Sequence, residues 1–165
     1  LKGCAGRPFQ QTDRERMNYT MADSKIRVVL VSHGEQSKGM LNTVQMLLGE
    51  QTNIAAYSLY PEQTIDDLTK VLREEIEKYG AENIIFLTEL KHGSPFNAVV
   101  SLTRDYDVYH VTGTNLAMLM TIVLERDFEG ATCEGLCEAA INAAADSYVD
   151  VRKMLMDSDD DEEDE

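Results

Sequence analysis

Four short apolar runs, each followed by a stretch with helical spacing, constrain this chain more than any other feature. Residues 26–31 (IRVVLV), 53–59 (NIAAYSL), 83–87 (NIIFL) and 107–112 (DVYHVT) read as strands. The first and third are almost wholly apolar, as strands buried on both faces are. After the first, Met40, Leu41, Val44, Leu47 and Leu48 form one stripe over residues 37–48, and Gly49 stops it. Residues 65–79 make an amphipathic helix that opens on a capping box, Thr64 with Asp67, and ends at Gly80. Ser94 as N-cap and Pro95 as first helical residue suit the start of a third helix. An apolar helix follows from about Leu116 to Glu125, and a last one from about Thr132 to Ser147. Tyr148–Leu155 either extends that helix or forms one more strand, because Val149, Val151, Met154 and Leu155 match neither period well.

Strands separated by helices of about a dozen residues imply right-handed βαβ units on a parallel sheet. The expected fold is therefore α/β and doubly wound. We expect a mainly parallel four-stranded sheet of order 2-1-3-4, helices on both faces, and an extra strand near the C-terminus as an option. Ligands of such sheets bind beyond the carboxyl ends of the strands, where the strand order reverses. In this order that point lies between strands one and three. The loops meeting there are SHGE (32–35) and TELKHGSPF (88–96).

A length of 165 residues with 43% apolar content suits one domain with a buried core. Residues 1–24 are polar, contain Gly3, Gly6 and Pro8, and lack periodicity, so a disordered extension is expected there, with Met17 or Met21 as the natural start. The domain proper is assigned to residues 25–156. Residues 157–165 (DSDDDEEDE) carry eight of the thirty acidic groups and should also be disordered. They account for much of the net charge of −15 and leave about −7 on the rest. That sign argues against nucleic acid, whose phosphates are held by Lys and Arg. No apolar run approaches the ~18 residues of a membrane span, so a cytoplasmic location is expected. Cys4, Cys133 and Cys137 fit neither a disulfide framework nor a CxxC redox or zinc pair.

One combination in the two switch-point loops carries a coherent mechanism. His33 directly follows a buried strand, and its neutral imidazole is a nucleophile near neutral pH. Glu89, at the neighbouring strand end, is placed to accept a hydrogen bond from one ring nitrogen and leave the other free to attack. The helix at Ser94-Pro95 offers free N–H groups and a positive dipole end, with Gly93 allowing close approach and the Ser94 hydroxyl at hand. Taken singly, a His after a strand is more often a turn residue, a Glu there a solvated carboxylate, and Ser-Pro only a cap. Their convergence on the switch point is what suggests an anion or phosphoryl site.

VVLVSHGEQSKGMLNTVQMLLGE, FLTELKHGSPFNAVVSL and VTGTNLAMLM, in this order, resemble the successive blocks of mannose-class EIIA domains of the bacterial sugar phosphotransferase system (PTS). The resemblance covers roughly residues 25–150, and GSPFN is its most specific element. It also separates the chain from the related phosphotransferase subunit of dihydroxyacetone kinase. The resemblance implies that His33 takes a phosphoryl group from the carrier HPr and passes it to an EIIB partner, without cofactor and as a homodimer. Membranes would then be met only through transporter subunits. It further implies that Glu89 orients His33, in a place where the family usually has Asp, and that Ser94 helps to hold the phosphoryl group. Two further departures are His92, where a second glycine is usual, and Ala117, where proline is common. A second reading is a regulatory interaction module of the same fold that signals through its phosphorylation state. A flavodoxin-like small-molecule domain is disfavoured, because no GxGxxG follows the first strand and the chain has no Trp.

Overall fold

The structure is a computed structural model and describes the backbone of residues 24–160 and the side chains as far as residue 156. The expectations for residues 1–23 and 161–165 lie outside the described residues. Four strands, β1 (Arg27–His33), β2 (Ile54–Leu59), β3 (Ile84–Thr88) and β4 (Tyr109–Thr112), form one sheet of order β2-β1-β3-β4. Every pair is parallel; Val31 faces Tyr57 on one side and Thr88 on the other. The expected order and fold class are thus observed.

Helices α1 (Gln36–Leu48), α2 (Ile65–Tyr79), α3 (Ser94–Leu102), α4 (Leu116–Glu125), α5 (Cys133–Asp146) and α6 (Val151–Asp160) follow in chain order. The period-2 alternation of the strands divides the core in two. Val28, Leu30, Ile85 and Leu87 pack with residues of α1, α4 and α5, such as Val44, Leu119, Ile122, Leu136 and Ala140. Val29, Val31, Ile84 and Phe86 pack on the other face with residues of α2 and α3, among them Leu72, Ile76, Ala98 and Leu102. The chain therefore crosses on one face from β1 to β2 and on the other from β2 to β3. That reversal opens the sheet between β1 and β3 at their carboxyl ends.

Local signals hold where they concern caps. Thr64 Oγ1 accepts from Asp67 N–H at 3.1 Å, and Asp67 accepts in return from Thr64 N–H at 3.2 Å, completing the capping box of α2. Opposite the switch point, buried Arg126 donates to the carbonyls of Thr52 at 2.7 Å and Asn53 at 3.3 Å, tying the end of α4 to the turn before β2. Burial lowers its pKa, which the neutral carbonyl partners do little to oppose.

Several expectations are corrected. The optional strand near the C-terminus is not formed: the chain turns at 147–150 and continues as α6. Every residue from 145 to 156 is exposed, so no sheet edge claims these side chains and the local helical preference prevails. α6 also carries helix as far as Asp160, into the acidic segment. In α1 only Ser37 and Val44 are fully buried, and Leu47 of the expected stripe is half exposed. Among the methionines, Met118 is buried in α4, whereas Met46, Met154 and Met156 are exposed.

Candidate functional site

β1 lies between β2 and β3, so the residue at its carboxyl end stands at the switch point. That residue is His33, which the ladder to Leu59 makes the last residue of the strand, two positions beyond the expected strand end at Val31. Gly34 continues the ladder by donating its N–H to Leu59 O at 3.0 Å. The His33 imidazole is thus carried on paired backbone while its side chain stays about half exposed, at 48%.

Glu89 follows β3 directly, and its side chain is only 11% exposed. Its two carboxylate oxygens accept the main-chain N–H of His33, at 2.8 and 3.0 Å. Oε1 also pairs with Nδ1 of the ring. An ionised carboxylate only accepts, so Nδ1 must carry the proton in that pair. The remaining nitrogen, Nε2, then holds the lone pair. One side chain therefore locks both the backbone and the tautomer of the histidine. The methylene by which Glu exceeds Asp is accommodated in this double contact.

On the other side of the ring stands Gly93. A Cβ there would come within 3.2 Å of His33 Cε1 and 3.2 Å of Leu90 O, so any larger residue would press on the imidazole. Gly93 N–H donates to Leu90 O at 3.1 Å and closes a turn in which His92 has φ of +66°. Glycine adopts that left-handed backbone without strain, which is the physical sense of a glycine at this position; His does so at a cost. The His92 ring stacks edge-on against Phe96, with centroids 5.6 Å apart.

The expectation that Ser94 caps α3 is corrected. Gly93 is the N-cap, Ser94 is the first helical residue, and no side chain caps this end. Pro95 in the first turn has no N–H, and Asn97 N–H is taken by Gly93 O at 2.9 Å. The N–H groups of Ser94 and Phe96 belong to the first turn, which a helix leaves without internal acceptors. Together with the Ser94 hydroxyl they give the helix start next to His33 its capacity for an anion.

Two arrangements around the site were not singled out in the sequence. Ser32 Oγ accepts Ser37 N–H at 2.8 Å, and Ser37 Oγ donates to Tyr57 O at 2.9 Å, which ties the start of α1 to β1 and β2 behind His33. Farther out, Lys38 Nζ donates to Tyr60 OH at 2.8 Å, and Tyr60 OH donates to Glu35. Glu35 and Lys38 stand three apart at a helix start, a spacing that could have flagged the pair; nothing local pointed to Tyr60. His110, on β4, is hydrogen-bonded to Thr88 Oγ1 of the neighbouring β3 at 2.8 Å. Cys133 and Cys137 are pushed up to about 11 by burial, far from a reactive thiolate. Among the described residues no group of three His, Cys, Asp or Glu side chains is arranged to hold a metal ion.

Residues 27–141 match the family model EIIA-man, described as the PTS system fructose IIA component. The mannose-specific EIIAB component of the PTS from Escherichia coli (strain K12) is 32% identical over 104 residues, which are 62% of this chain and 32% of that protein. The chain thus spans about a third of that relative's length. A sorbose-specific EIIA component from Lacticaseibacillus casei is 28% identical over 102 residues, 60% of this chain and 72% of the relative. Among solved structures, a PTS component EIIA from Streptococcus agalactiae superposes with a TM-score of 0.71 at 27% identity, covering 78% of this chain and 98% of that one. None of these likenesses assigns a role to an individual residue here.

Proposed function

Because this chain belongs to the EIIA-man family of PTS IIA components, we propose that it is a histidine phosphocarrier that is loaded at His33. It is an α/β EIIA component of the mannose and sorbose class, and such components are phosphotransferases. The finer reading is that His33 accepts a phosphoryl group from phospho-HPr and gives it to an EIIB partner. The observation that supports it best is the grip of Glu89 on both the main-chain N–H and Nδ1 of His33.

In the proposed step, the Nε2 lone pair forms a bond to phosphorus as the N–P bond of the donor's phosphohistidine breaks. The donor imidazole leaves with that electron pair and takes up a proton. The His33 ring gains positive charge as its bond forms, and the Glu89 carboxylate balances it through Nδ1–H. The phosphoryl oxygens meet the Ser94 hydroxyl and the free N–H groups at the start of α3, with Gly93 keeping that approach open. The return step, to EIIB, runs the same exchange in reverse. We assign this work to residues 25–156, in a homodimer that resides in the cytoplasm and meets membranes only through transporter subunits.

Incubation with phosphoenolpyruvate, enzyme I and HPr, followed by intact mass and peptide mapping, tests the reading. The expected result is an acid-labile gain of one phosphoryl group at His33 that is absent from His33→Ala. Label on His92 or His110, or label persisting in His33→Ala, would overturn it.

A further inference from the structure

We infer that Leu90 is the apolar anchor on which the phosphoryl-donating protein partner of His33 docks; this rests on the functional reading above. Leu90 is 60% exposed and belongs to neither core cluster. A solitary exposed Leu signifies little by itself. Its position is what counts. The point where a Gly93 Cβ would lie is 3.6 Å from Leu90 Cβ and 3.2 Å from His33 Cε1, so only a glycine separates this side chain from the imidazole. The turn that holds it there retains a histidine at φ of +66°, a conformation with a steric cost, which indicates that the backbone path is over-determined by its surroundings.

Any macromolecular donor that brings phosphorus to Nε2 must cover the surface beside the ring. The helix start at Gly93 and the exposed Leu90 are the nearest such surface on the β3 side. On the β2 side, His33 pairs with Leu59, and Tyr60 follows. There Lys38 lies 5.0 Å over the Tyr60 ring and 3.9 Å from Glu35, so two exposed charged groups and a partly exposed Tyr60 hold one another in place. An apolar side chain at the centre with an ordered polar rim across the reacting atom is the layout of an interface hot spot. The partner that fits carries an exposed apolar side chain close to its own phosphorylated residue. A second copy of this chain is disfavoured as the occupant of this spot, because a copy seated on Leu90 would also cover the neighbouring imidazole and bar the donor from Nε2.

The test compares a protein donor with a small one that has no surface to dock. Full-length chain and Leu90→Ser are labelled with phospho-HPr and, separately, with phosphoramidate. For Leu90→Ser we expect the KM for phospho-HPr to rise about 10-fold with kcat unchanged. Labelling of His33 by phosphoramidate should keep its rate, and Leu90→Met should restore KM to within about 2-fold. An unchanged KM in Leu90→Ser, or an equal loss with both donors, overturns the anchor. So does a change of sedimentation in Leu90→Ser without HPr, which would give the surface to a second copy. If the unaltered chain labels with phosphoramidate and not with phospho-HPr, the donor assignment falls together with the anchor. If it labels His33 with neither, the phosphocarrier reading itself falls.

Discussion

At the scale of single residues, Glu89 combines a structural contact with a chemical one. Its carboxylate accepts from the His33 main chain, which any hydrogen-bond acceptor of that shape would do, and it supplies a negative charge at Nδ1, which only an ionised group supplies. Glu89→Gln separates the two. The fold should survive, while phosphoryl transfer slows about 10²-fold or more, read as kcat in single-turnover labelling. A variant with full kcat would show that the charge is irrelevant. Gly93 sets the opposite wall. With φ of −71° its backbone tolerates alanine, but the added methyl meets His33 Cε1 and a main-chain oxygen, both at 3.2 Å. The carbonyl cannot yield, so the imidazole must. Gly93→Ala should lower the labelling rate about 10-fold and cost less than about 1 kcal/mol in stability. Identical labelling by Gly93→Ala would mean that the ring has room to move.

At the scale of elements, β4 shows how a strand with modest apolar content is held. His110 donates to or accepts from Thr88 on β3 at 2.8 Å and lies 5.1 Å from the Phe96 ring of α3. Burial drives its pKa from 6.5 to about 4, since the charged ring would lose its water without gaining an anion. Between those two values the unfolded chain binds the proton and the folded chain does not. Stability from this residue is therefore intact above pH 6.5 and is lost as the pH falls toward about 4. The loss is at most about 1.4 kcal/mol per pH unit, and less where water reaches the ring. The melting temperature of His110→Gln should accordingly fall less steeply than that of the unaltered chain over this range. Parallel slopes for the two proteins would show that the ring is hydrated in the folded state. α3 offers a different lesson. Its Ser-Pro start announced a helix correctly, yet the cap is Gly93, because closing the turn back onto Leu90 O and packing under His33 decides which residue leaves the helical path.

At the scale of the whole molecule, the packed core ends before the acidic C-terminal segment. The two core clusters account for the sheet and α1 to α5, whereas residues 145–156 remain exposed and the acidic segment 157–165 has no apolar group to bury. Deleting residues 157–165 should therefore leave the melting temperature within about 4 °C of the full chain, the shift expected from roughly 1 kcal/mol. A larger fall would show that the segment is docked. The sequence by itself determined the strand and helix alternation and the right-handed α/β class; the order 2-1-3-4, and with it the two loops at the switch point, was an expectation that the long-range strand pairings then met. The alternation and the class depend on hydrophobic period and on chirality, both of which are written locally. The capping box of α2 was legible for the same reason, since all its partners lie within four residues. Only the tertiary structure decided that Glu89 binds the His33 main chain as well as its ring, that Tyr60 joins Glu35 and Lys38, and that the last segment is a helix and not a strand. Each of these depends on groups brought together from far along the chain, or on whether a neighbouring edge is available for pairing. Local periodicity carries no information about either.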